Sequence, residues 1–166
     1  MTQSRVPQAY RLVAAVAFGL VVTLGGTALA PSSNSEVGTW KLNVAKSKFS
    51  KGTEVKTGTI KVEAAGAGVK FSVDTAGADG TVRHYEYTAN YDGKDVPVVG
   101  NSPYGDMTTR TRINPTTTKA VNKKGGKVTT TQTTVVSSDG KTRTVTTKGT
   151  NVLGQATDNV TVWDRQ

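Results

Sequence analysis

Cysteine is absent from all 166 residues, and histidine occurs once, at His84. The first absence removes disulfides and thiolate nucleophiles, and a single imidazole cannot build a His-rich zinc site. Helical periodicity is also missing after residue 36, apart from one turn's worth around residues 43 to 49. No glycine-rich loop therefore opens a helix to cradle a phosphate. The serines at Ser47, Ser50, Ser102, Ser137 and Ser138 lie in turns or polar leads, and none stands in a G-x-S-x-G elbow. Asp92, Asp95 and Asp106 are too scattered for a calcium loop. Glu86 follows His84 by two residues and shares its face on a strand, a pairing more often found on a surface than in acid–base catalysis. The chain is thus expected to perform no chemistry and to need no metal or cofactor.

What is present begins with a basic, acid-free start containing Arg5 and Arg11, an apolar run from Leu12 to Leu24, and a small-residue end, Gly25-Gly26-Thr27-Ala28-Leu29-Ala30. This is the pattern of a secretory signal peptide over residues 1–30 and predicts a signal-peptide helix there, with Ala28 and Ala30 both open as the cleavage point. An uncleaved anchor is the competing reading, disfavoured by the paired glycines. Export places the protein in the periplasm or outside the cell. Residues 31–36 form a polar lead, and residues 37–166 are long enough for one domain with a single core. Of the 21 basic residues Arg5 and Arg11 lie in the leader, which leaves 19 against 12 acidic ones, a formal +7. Such a balance favours anionic surfaces. Here the lysines are dispersed along alternating strands without an aromatic platform, the pattern of a solvated, aggregation-resistant face, so nucleic acid is not an expected partner.

From Val37 onward the period is two. Trp40, Leu42 and Val44 alternate with Lys41 and Asn43; Ile60, Val62 and Ala64 share a face; and Val69, Phe71 and Val73 alternate with Lys70, Ser72 and Asp74. Tyr85, Tyr87 and Ala89 line one face of the next run. Asp92-Gly93 is the strongest hairpin signal, followed by a short strand over residues 94–99 in which Pro97 marks an edge or bulge. Between Thr108 and Thr150, 16 of 43 residues are threonine, a β-branched residue that favours strands and offers hydroxyls on both faces. Turn signals at Asn114-Pro115, Gly125-Gly126, Asp139-Gly140 and Gly154 cut this tract into strands near 106–113, 117–124, 127–137, 141–149 and 155–164. About 8–10 strands joined by tight turns predict an all-β, antiparallel up-and-down meander β-barrel, with a two-sheet sandwich as the alternative. Closure brings Val160 to Trp163 beside the Trp40 strand, so that both tryptophans seal one end.

The string Gly38-Thr39-Trp40-Lys41-Leu42 resembles the opening motif of the lipocalins and the first strand of the fatty-acid-binding proteins. With A-K-S-K-F at residues 45–49, Y-D-G-K-D at 91–95 and S-D-G-K-T at 138–142, the chain resembles a family of secreted bacterial lipocalin-like barrels. That resemblance implies a monomeric binding protein whose interior holds a small hydrophobic or amphipathic molecule, with Trp40, Phe71, Tyr85, Tyr87, Arg110 and Arg112 as candidate ligand contacts. The carboxylate clamp of the fatty-acid-binding proteins, R-x-Y in the last strand, is replaced by Thr161-Val162-Trp163. Arg165 stands where the late lipocalin arginine would pack over Trp40. Which face of the Arg110–Arg112 strand points inward stays open, the apolar pattern of Met107, Thr109, Thr111 and Ile113 favouring the opposite face. An envelope interaction module using the basic, threonine-rich outer face to bind an anionic cell-envelope surface or a protein partner is the second functional reading.

Overall fold

In the computed structural model, which describes Met1 and residues 34–166, the chain forms β1 (Gly38–Lys48), β2 (Val55–Ala65), β3 (Gly68–Gly77), β4 (Val82–Ala89), β5 (Val96–Pro97), β6 (Val99–Gly100), β7 (Met107–Asn114), β8 (Thr117–Lys124), β9 (Lys127–Val136), β10 (Thr142–Thr150) and β11 (Ala156–Arg165). The expected signal peptide and residues 31–33 of the polar lead lie outside the described residues. All pairings are antiparallel, and the sheet order β5-β7-β8-β9-β10-β11-β1-β2-β3-β4-β6 is a meander wrapped into a nearly closed barrel. The first and last long strands meet as the sequence pattern required, Leu42 opposite Trp163 and Trp40 opposite Arg165. The count is 11 strands rather than 8–10, because two of them are two-residue pieces of the segment expected as a single strand over residues 94–99.

That segment departs from the hairpin expected at Asp92-Gly93. Asp92 bridges to Thr111, and the Gly93 amide donates to the Arg110 carbonyl at 2.8 Å, so the chain crosses to β7 before it returns to β4. Val96–Pro97 then pairs with β7, and Val99–Gly100 pairs with Tyr85 and Glu86 of β4. Pro97 has no amide to extend either ladder, which suits the point at which the segment changes partner.

Alternation places two kinds of side chain inside. Strands β1 to β3 turn inward Trp40, Leu42, Ile60, Val62, Val69, Phe71 and Val73, all buried. Strands β7 to β11 turn inward Thr108, Thr118, Asn122, Thr130, Thr134, Thr147, Thr157 and Asn159, also buried. The threonine-rich tract therefore builds a polar half of the interior. Its groups satisfy one another, as in the chain Thr108 to Asn122 at 2.9 Å and Asn122 to Thr130 at 3.0 Å.

One end of the barrel is closed by residues 34–37, where Trp40 Nε1 donates to the Glu36 carbonyl at 2.9 Å and Arg165 Cζ lies 4.1 Å from the Trp40 ring. Arg165 also donates to the Val37 and Ser35 carbonyls, at 2.6 and 2.9 Å. A Cβ at Gly38, whose φ is +141°, would overlap the guanidinium, which gives the G-x-W string its physical reason. Trp163 does not join Trp40 in sealing this end. Its indole runs toward the middle of the barrel, bonding Thr161 Oγ1 at 2.9 Å and filling the space beside Gly58.

Candidate functional site

A cavity of about 170 Å³ occupies the barrel between its middle and the end opposite Trp40. Its apolar wall is Leu42, Ile60, Val73 and Trp163; facing it are Gln132, Thr147, Asn159 and Thr161. Phe71, Tyr87 and Arg143 border it toward the closed end, while Phe49, Tyr104 and Gln155 border it toward the open end. Phe49 is held there because Asn159 Oδ1 accepts from the Ser50 amide at 2.7 Å and from Thr53 Oγ1 at 3.0 Å. The neighbouring turns are tied together by the Val152 amide on the Pro103 carbonyl, 2.9 Å, and Gln155 Nε2 on the Gly52 carbonyl, 3.0 Å.

Beneath the cavity lies a buried ionic cluster. Arg110 Nη2 donates to Glu36 Oε1 at 2.6 Å and to Thr118 Oγ1 at 2.8 Å, and Arg110 Nη1 donates to the Tyr87 hydroxyl at 3.2 Å. Arg143 Nη2 reaches the same Glu36 oxygen at 3.5 Å. Glu36 Oε2 accepts from the Tyr91 hydroxyl at 2.8 Å, and that hydroxyl accepts from Asn34. Burial pushes the Glu36 carboxyl upward, but the fields of Arg110 and Arg143 and its hydrogen bonds outweigh this and hold it below its ordinary range. Phe71 supports both cations, with Arg110 Cζ 4.4 Å and Arg143 Cζ 5.4 Å from its centroid, and stacks on Tyr87 at 4.8 Å.

The expected contacts fall in four places. Phe71, Tyr85 and Tyr87 border the cavity. Burial raises the Tyr85 hydroxyl well above the ordinary tyrosine value and so keeps it neutral. Trp40 lies in the closed-end core, below the cavity. Arg110 points inward but is spent on Glu36, and Arg112 stacks on Tyr91 at 3.9 Å at the closed-end rim. The apolar pattern of β7 is thereby corrected: Ile113 is exposed and Thr111 faces outward, while Arg110 is 1% exposed. A buried carboxylate outweighs the preference of apolar side chains for the interior. No protein-family model and no curated protein matches this chain. Glu36 and Arg143 escaped the sequence reading, for one sat in a polar lead and the other in a threonine run beside a turn. The period-2 rule alone puts Arg143 on the face of Val145 and Thr147.

His84 and Glu86 are on the outer face, where His84 Nδ1 lies 2.7 Å from Asp74 and Glu86 lies 3.0 Å from Lys70. They converge on no cleft. Among the described residues no three His, Cys, Asp or Glu side chains gather to hold a metal ion.

Proposed function

We propose that this protein is a non-enzymatic carrier that holds a small hydrophobic or amphipathic molecule inside a lipocalin-like barrel, exported by its leader to the periplasm or beyond. The observation that carries the reading is the cavity itself, with an apolar wall from β1 to β3 and β11 facing hydroxyls and amides from β9 to β11. Thr75 and Tyr85 on the first side and Val145 on the second make the division a bias, and a cavity with an apolar wall and a few placed polar groups can orient an amphipathic guest. The outer face supports a surface-binding role less well. Several of its lysines are paired with acids, as in Lys61–Glu63, Lys70–Glu86, Lys123–Asp95 and Lys148–Asp158, which lowers the charge they present to a partner.

The test is native mass spectrometry of the protein purified from the cells that export it. A co-purifying small molecule lost on organic extraction is the expected result. A bare protein mass, together with failure to take up any of a panel of small apolar fluorescent probes, refutes the carrier reading.

A further inference from the structure

Charge in the closed half of the barrel does not balance. Glu36 brings one negative charge, Arg110 and Arg143 bring two positive ones, and all three side chains are buried. Glu36 is committed: one oxygen is held at 2.6 Å by Arg110 and the other at 2.8 Å by Tyr91. Arg110 has further acceptors in Thr118 and Tyr87. Among the described residues Arg143 has only the long 3.5 Å approach to Glu36, and its Nε and Nη1 have no acceptor. The other charged groups bordering the cavity, Glu54, Asp79 and Arg83, belong to its open end, whereas Arg143 is the second residue of β10 from the closed end. A desolvated guanidinium without a full counter-charge is costly, and it sits at the inner boundary of an amphipathic cavity.

We infer that the interior takes a compact organic monoanion, a carboxylate on a single ring or short chain, with its oxygens on the Arg143 guanidinium and its apolar part against Leu42, Ile60, Val73 and Trp163. The inference rests on the carrier reading and specifies its ligand. One uncompensated positive charge calls for one negative charge, and the planar guanidinium fork matches a planar carboxylate. Size follows from the cavity: 170 Å³ is close to the roughly 150 Å³ that accommodates benzene and well under the roughly 300–1,000 Å³ of sites for larger ligands. A long acyl chain does not fit within it.

Calorimetric titration of the full chain with benzoate, benzyl alcohol and hexadecanoate separates the possibilities. Benzoate should bind at least tenfold more tightly than benzyl alcohol, its neutral counterpart, and more tightly than hexadecanoate. Arg143→Gln should abolish the preference for benzoate while benzyl alcohol still binds, with circular dichroism confirming the fold. The comparison among the three compounds on the unaltered protein needs no variant, so it decides the matter even if Arg143→Gln does not fold. Equal binding of benzoate and benzyl alcohol overturns the anion inference and leaves the carrier reading standing. Tighter binding of hexadecanoate overturns the size limit. Exclusion of all three, with a bare mass in the native spectrum, overturns carrier and inference together.

Discussion

Replacing Glu36 by Gln keeps the shape of the side chain and removes the negative charge that pairs with both Arg110 and Arg143. Arg110 would retain Thr118 and the Tyr87 hydroxyl, but Arg143 would face a neutral amide oxygen in place of its counter-charge. Removing one partner of a buried ion pair costs about 3–5 kcal/mol, because the charge left behind stays desolvated. Glu36 is 1% exposed, so solvent screening gives no reason to discount that range. The assay is urea unfolding followed by tryptophan fluorescence, since Trp40 and Trp163 are both in the core. At pH 7 the variant should be about 3–5 kcal/mol less stable. The pH dependence supplies a second check. The folded carboxyl lies below its ordinary value of 4.5, so its contribution is complete above that value and is lost as pH falls through the folded one. Wild type and variant should therefore converge in acid. A loss under about 1 kcal/mol at pH 7, or a difference that does not narrow below pH 4.5, would refute the view that Glu36 carries charge into the core.

Three further outcomes follow from the same geometry. Arg165→Ala removes the stacking on Trp40 and the bonds to the Ser35 and Val37 carbonyls; we expect a loss of about 2–3 kcal/mol in urea unfolding, whereas Arg165→Lys should recover less than half. His84→Gln should shift stability by less than about 0.5 kcal/mol, because the His84–Asp74 pair is more than half exposed; a larger change would show that this outer pair is structural. Tyr91 is pushed up to about 12, by burial first and then by the negative Glu36 beside it. Its neutral form therefore contributes stability that is complete below the ordinary value of 10 and lost as pH rises through 12. Spectrophotometric titration of phenolate should show that step in the folded protein and lose it in Tyr91→Phe; an unchanged titration curve would contradict the assignment.

The fold was legible because a meander barrel writes itself locally. Each of β7 to β11 begins and ends within about two residues of the boundaries set by Asn114-Pro115, Gly125-Gly126, Asp139-Gly140 and Gly154, since tight turns need particular residues and alternation tells a strand which face is wet. The failures have a common origin in contacts distant along the chain. Asp92-Gly93 is as strong a hairpin signal as any, yet its chain is drawn to β7 through the Gly93–Arg110 and Asp92–Thr111 contacts. The inward turn of Arg110 depends on Glu36, 74 residues earlier, and no period within β7 records that carboxylate. The threonine tract offers hydroxyls to both faces, and inside the barrel Thr147 stands with Gln132 and Asn159 across from Leu42 and Ile60, with Arg143 bordering the same cavity. The strand-forming residue that makes the second half of the barrel thus also gives the interior its two-sided character, which is the property an amphipathic acid would read.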